Sequence, residues 1–189
     1  LTILVLGGSL LASDYNIDDR PADLPWSIYT SLADSGFFET YSIYTDMDQF
    51  YRLGDFNGNG ALDMALLIVS KSSNKRGIVF LHDGDPRFHI IGAGQKFGKL
   101  GDNFSWLSGW GVDSFTLQKN RLSDTAEALL LINDDSKSHL VYFENDAYEI
   151  QASETFMPKA NKSVTHQTAP IYGQDIPQLL VRVTGMYPL

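Results

Sequence analysis

The chain has 189 residues, a formal net charge of −9 and a sequence pI near 4.7. It is long enough to bury a core as one domain, or two small ones, without covalent staples. Its acidity argues against a nucleic-acid partner, because gripping a phosphate backbone takes clustered Lys and Arg. There is no cysteine, so disulfides, thiolate metal sites and a cysteine-linked lipid anchor are excluded, and only oxygen or imidazole ligands remain for a metal. That balance favours hard cations. Aromatic residues at 12% suit β-structure, since flat rings pack well on pleated sheets.

Residues 1–13, Leu-Thr-Ile-Leu-Val-Leu-Gly-Gly-Ser-Leu-Leu-Ala-Ser, form an apolar stretch too short to span a bilayer but of the length of a secretory h-region. They predict a truncated signal peptide, and with it export to the periplasm or the extracellular space. The remainder divides into a β-rich domain over 14–152 and a loose C-terminal extension over 153–189. In 24–38, Leu24, Ile28, Leu32 and Phe37 or Phe38 recur at a helical period, with Asp23 as N-cap and Gly36 as stop signal. One amphipathic helix is expected there.

From Tyr41 the period becomes that of strands. Residues 41–44 alternate, 50–53 lead into a polar loop, and 62–69 is a nearly continuous apolar run, as in a strand buried on both faces. Strands at 77–82 and 88–91 follow, separated by the turn Asp83-Gly84-Asp85-Pro86. The stretch 92–111, rich in glycine and aromatics, predicts a long ordered loop packed by its own rings. The strand pattern then recurs after roughly 60 residues, a little longer than a common propeller blade. Residues 126–132, 139–143 and 148–150 repeat 62–69, 77–81 and 88–90. The expected fold is mainly β with one N-terminal helix (α+β), built of two propeller-blade-like antiparallel units over about 41–92 and 112–151. Two or three units cannot close a propeller, so an open stack or an oligomer is expected. In the extension, 173–182 echoes a strand, and Pro177 inside it limits it to a sheet edge.

The loop Gly54-Asp55-Phe56-Asn57-Gly58-Asn59-Gly60-Ala61-Leu62-Asp63 carries the chemistry. Calcium takes six to eight hard oxygens, and a short loop supplies them by offering a side-chain oxygen at alternate residues. Asp55, Asn57 and Asn59 fall at positions one, three and five. Gly60 stands at six, where the backbone must turn sharply; Ala61 offers its carbonyl at seven and Asp63 closes the site at nine. An EF-hand would place a bidentate Glu at position twelve, where this chain has Leu66, and a helix would follow. Strand-forming residues follow instead, so this site joins two strands. With only two carboxylates, one weak calcium site is expected, in the ~10⁻⁴ to 10⁻³ M range of extracellular modules. The bland alternative is a plain Asn-Gly hairpin turn, which needs no metal. In the second unit Ser123-Asp124-Thr125 cannot supply spaced ligands, so the site is expected once.

At these residues the chain resembles the FG-GAP or VCBS-type repeat, a strand followed by Asp-x-Asp/Asn-x-Asp/Asn-Gly-x-x-Asp and an apolar strand. Residues 50–60, 77–82, 92–98 and 101–106 together are similar to small exported bacterial proteins carrying one such repeat and having no assigned activity. The resemblance covers about 41–150. It implies a calcium-stabilised, β-propeller-like scaffold for adhesion or recognition of a protein or glycan, with Asp55, Asn57, Asn59 and Asp63 as side-chain ligands and Ala61 as a carbonyl ligand. Asn59, where the family more often has Asp, departs from the pattern.

Other chemistries find less footing. His82 and His89 flank one turn and could face one another, but with His139 and His166 they lack zinc-protease spacing and read as structural. No Gly-x-Ser-x-Gly elbow is present, and Gly92-Ala93-Gly94 opens no helix that could cradle a phosphate. Phe97, Phe104, Trp106 and Trp110 read as core filling before they read as a platform for a sugar or peptide. Asp102 and Asp113 are the candidates for a glycosidase-like carboxylate pair. A non-catalytic recognition domain is therefore the first expectation, an acidic-residue hydrolase the second, and a structural envelope protein the third.

Overall fold

In the computed structural model, residues 19–113, 126–135 and 137–153 are described. The expected leader, the C-terminal stretch beyond 153 with its edge strand, His166 and Ser123-Asp124-Thr125 lie outside them. Helix α1 (Trp26–Asp34) buries Ile28, Tyr29, Leu32 and Ala33 on one face. Its first residue follows Pro25, not Asp23. Pro25 disfavours helical backbone at the residue before it, and its own carbonyl accepts the N–H groups of Ile28 and Tyr29 at 3.1 and 3.2 Å. Gly36, at φ +74, ends the helix as expected. A single turn, α2 (Phe37–Thr40), then feeds directly into β1 (Tyr41–Ile43).

The first sheet has five strands: β1, β2 (Tyr51–Gly54), β3 (Asp63–Ser70), β4 (Arg76–Leu81) and β5 (Phe88–Gly92). All pairings are antiparallel. β1 and β2 share one edge of β3: Tyr41 lies opposite Ser70, and Gly54 lies opposite Asp63. Between them the chain leaves the edge over 45–49, and two hydrogen bonds bracket the gap. Tyr44 N–H donates to the Leu67 carbonyl, and Leu67 N–H donates to the Phe50 carbonyl, both at 2.9 Å.

The second sheet is a four-stranded meander of β6 (Leu107–Asp113), β7 (Ala128–Asn133), β8 (Ser138–Glu144) and β9 (Ala147–Ser153). Neither sheet closes on itself, so the fold is a β-dominated α+β arrangement and not a propeller. β6 occupies the last part of the stretch that reads as loop. Gly109 and Gly111 carry loop signals, yet each pairs in register with β7, and buried Trp110 between them points into the core. The true loop over 93–106 is stitched to the first sheet. The Arg76 carbonyl accepts both Ala93 N–H at 2.8 Å and Phe104 N–H at 2.9 Å, and Lys75 pairs with Asp102.

Strand alternation sorts the core into layers. Ala65, Leu67, Ile78, Phe80 and Ile91 face the second sheet and meet Leu107, Trp110, Leu129, Leu131, Val141 and Tyr148. Met64, Leu66, Ile68 and Val79 face the other way, onto Leu24, Ile28, Leu32 and Phe37 of the helical layer. The order is therefore helices, first sheet, second sheet.

One close approach fixes how β4 sits against β5. Gly77 lies opposite Gly92, and a Cβ at Gly77 would come within 2.4 Å of both Ala93 N and Ile91 O. These are backbone atoms and cannot swing aside. Gly77→Ala is expected to cost at least about 1–3 kcal/mol, as overpacking does, measured as a lowered urea midpoint at unchanged slope. A nearby substitution at exposed Ser73 should leave the midpoint in place.

Candidate metal centre

The loop over 55–62 connects β2 to β3 and hangs from two anchors. Phe56 is completely buried between the sheets and meets Phe80 edge-to-face at 5.4 Å. Asp63, 1% exposed, opens β3 and accepts three backbone N–H groups: Phe56 at 3.0 Å and Asn57 at 3.2 Å on Oδ2, and Asp83 at 2.8 Å on Oδ1. It thus ties the loop to the β4–β5 turn.

The remaining oxygens are drawn to the loop's own backbone. Asp55 accepts Asn59 N–H at 3.0 Å on Oδ1 and Gly60 N–H at 2.9 Å on Oδ2. The Asn57 Oδ1 accepts Asn59 N–H at 3.0 Å, and the Asn59 Oδ1 accepts Ala61 N–H at 2.7 Å. Gly60 has φ +83 with open space where a Cβ would stand, so glycine is there for its backbone freedom and not for want of room.

This donor set fits a hard cation. A carboxylate has about four lone-pair sites and an amide oxygen two. Asp55 therefore keeps two for a ligand, and Asn57 and Asn59 keep one each. Asp63 has one left, on the oxygen that takes Asp83 N–H. The three outer residues would be the more available ligands for such a cation, while Asp63 acts first as the clamp that shapes the loop. Ala61 is held beside them through its N–H.

A residue that the spacing does not point to closes the site from the second sheet. Glu127, just before β7, accepts Asp55 N–H on Oε2 at 2.9 Å, and its own N–H donates to the Asp55 carbonyl at 2.7 Å. Gly54 makes room for it: a Cβ there would stand 2.9 Å from that same Oε2. A lone Glu in an otherwise apolar run was the available signal, but nothing in the sequence indicates which loop it reaches. Phe56 and Asp83 likewise carry no ligand signature, and both hold the loop in shape.

Elsewhere the candidates separate. Phe104 and Trp110 are buried, and Phe97 and Trp106 pack against the same core cluster. Asp102 is engaged by Lys75, which holds its carboxyl below the usual range, while Asp113 stands at the end of β6 opposite Ala128. His82 is buried, which lowers its ring to about 4 and keeps it neutral. Its Nε2 lies 2.7 Å from the Tyr148 hydroxyl, whose ionisation is pushed up by burial and then by the Asp63 charge. No known protein family, curated protein or solved structure matches the chain.

Burial raises the Asp63 carboxyl from its ordinary 3.8 to about 6, although the three N–H donors oppose the rise. Below pH 3.8 the group is protonated in folded and unfolded chains alike, and its favourable contribution is complete. Between about pH 4 and 6 only the folded chain holds the proton, so stability falls as pH rises. The rise from 3.8 to about 6 corresponds to about 3 kcal/mol, at about 1.36 kcal/mol per pH unit. Urea unfolding without calcium, at pH 4.5 and 7, should show this loss in the wild type and not in Asp63→Asn. Other carboxylates act with the opposite sign, so the difference between the two proteins is the measurement. Equal pH slopes would refute the assignment.

Proposed function

We propose that this chain is a non-catalytic, exported, calcium-stabilised β-domain of the FG-GAP or VCBS type, serving recognition of a protein or glycan. The observation that carries this reading is the loop itself. Asp55, Asn57 and Asn59 present oxygens with unused lone pairs, the backbone that positions them is pinned by its own N–H groups, and the assembly is clamped by Asp63 below and Glu127 across the sheets. A plain hairpin turn would not need four side-chain oxygens and a reciprocal contact with a second sheet. Bound calcium would supply charge neutralisation there, offsetting the carboxylates of Asp55 and the buried Asp63.

Recognition draws support from a groove of about 580 Å³ where α1 and α2 meet the edge strand β1, lined by Tyr29, Phe38, Tyr41, Arg20, Glu39 and Lys71. Aromatic faces with charges of both signs suit a polar ligand with apolar patches. Among the described residues no helix is long and apolar enough to cross a membrane. The hydrolase reading loses the feature that motivated it, because the rings near Asp102 fill the core and Asp102 is neutralised by Lys75.

Binding at ~10⁻⁴ to 10⁻³ M translates, at about 10 mM calcium, into about 1.4–2.7 kcal/mol of stabilisation. The melting temperature should rise by roughly 3–10 °C, and Asp55→Ala should abolish the rise while the protein stays folded. An unchanged melt would remove calcium from the proposal. A panel of chromogenic aryl glycosides should show no turnover; release that is lost in Asp102→Asn would instead support the hydrolase.

A further inference from the structure

Strand alternation carries the inter-sheet face beyond the end of β4. Ile78 and Phe80 point to the second sheet, and His82, two residues on, continues their row to its rim. His89 pairs with Phe80 across β4 and β5, so it rises on the same face. The two imidazoles stack with centroids 4.7 Å apart and planes inclined by 29°. Phe143 meets both rings edge-on, at 4.7 and 5.2 Å, and Tyr148 holds His82. Asp85, in the turn between the strands, brings a carboxylate to the same point. One ligand atom from each of His82, Asp85 and His89 lies within 4.8 Å of the others.

The hydrogen bonding in this cluster is incomplete. His89 Nε2 is buried and has no hydrogen-bond partner. Its nearest charged neighbour is Asp85 Oδ2 at 3.5 Å, beyond the usual span of a hydrogen bond. That spacing is close to the separation of two ligands on one tetrahedral ion: metal–nitrogen and metal–oxygen bonds of about 2.0–2.1 Å put neighbouring ligand atoms about 3.3 Å apart. A buried polar atom without a partner is destabilising, and an ion seated between the three groups would satisfy it. Two imidazoles and one carboxylate suit late first-row divalent metals such as zinc, and not calcium or magnesium, which want oxygen. Arg87 pairs with Asp85 from the outer side and spans to Asp146 of the β8–β9 turn. It holds the carboxylate in place at the price of competing with a metal for it.

We infer that His82, Asp85 and His89 form a second metal site, selective for a divalent transition ion of the zinc type and distinct from the calcium loop. Three protein ligands leave one position open for water or an exogenous ligand. Asp85, with its side chain 20% exposed, marks the entry.

The test is a cobalt(II) titration of the full chain followed by visible absorption, with zinc as the displacing ion. The wild type should develop a saturable d–d band of a low-coordinate imidazole site at one equivalent, discharged by zinc and untouched by excess calcium. His89→Ala and Asp85→Asn should each weaken cobalt binding at least about tenfold, while Asp55→Ala binds as the wild type does. Asp85→Asn alters a turn residue and keeps the test decisive should His89→Ala fold poorly. Absence of the band from folded wild-type protein, or a band of unchanged affinity in Asp85→Asn, would overturn the site. Calcium stabilisation lost only in Asp55→Ala would separate the two sites whichever way cobalt behaves.

Discussion

β3 must be buried on both faces, and the rest of the molecule is arranged to satisfy that. From Met64 to Ile68 every side chain is at most 4% exposed, so the strand needs an apolar layer above and another below. The amphipathic face of α1 supplies one and the second sheet supplies the other. At about 25 cal/mol per Å² of apolar surface, leaving either face open would forfeit several kcal/mol in a molecule whose net stability is of that order. Polar groups are admitted only at the strand's two ends. Ser70 meets Ser72 and the Lys75 backbone, and Asp63 meets three N–H donors. The candidate metal loop is thus the polar termination of the most buried strand.

Legibility from sequence followed the range of the interactions involved. The unbroken apolar run of 62–69 displayed double burial, and the alternate oxygens of Asp55, Asn57 and Asn59 displayed a loop whose side chains fold back onto its own N–H groups, because both patterns are local. The start of α1 lies two residues beyond the expected one, since Asp23 is a good N-cap by composition and the restriction that Pro25 imposes on Leu24 overrides it. β6 was concealed by Gly109 and Gly111, which signal turns but here leave room on a strand whose one large inward residue is Trp110. Glu127 was invisible for a different reason: its partner is 72 residues away, and no local pattern encodes that pairing. The two histidines were seen to flank a turn, but whether they meet depends on the register that places His89 opposite Phe80.

The two candidate sites are neighbours through one contact. Asp63 Oδ1 takes the N–H of Asp83, the residue between His82 and the turn that presents Asp85. An ion on the loop would pull on the same carboxylate oxygen that positions the histidine turn. That oxygen is one physical link between the two candidate sites, and any coupling it carried would be reciprocal by linkage. Around the rim the same economy recurs: Arg52 donates to the Trp110 carbonyl at 2.9 Å and lies over its ring, and Arg87 reaches Asp146. Apolar area holds the sheets together, and a few polar clasps set how they are aligned.

The reciprocal pair between Asp55 and Glu127 also bears on the order of events during folding. The second sheet is a meander, and in the first β3, β4 and β5 pair in chain order, so most of the strand pairing closes comparatively short loops. The clasp closes a much longer loop and rewards the chain only after the two sheets have met. Its sequence separation of 72 predicts that it closes after the main barrier. Whatever strengthens the loop, a bound ion included, therefore acts mainly by slowing escape from the folded state and leaves the rate of reaching it nearly unchanged. A domain built this way would owe its persistence to slow unfolding more than to fast assembly.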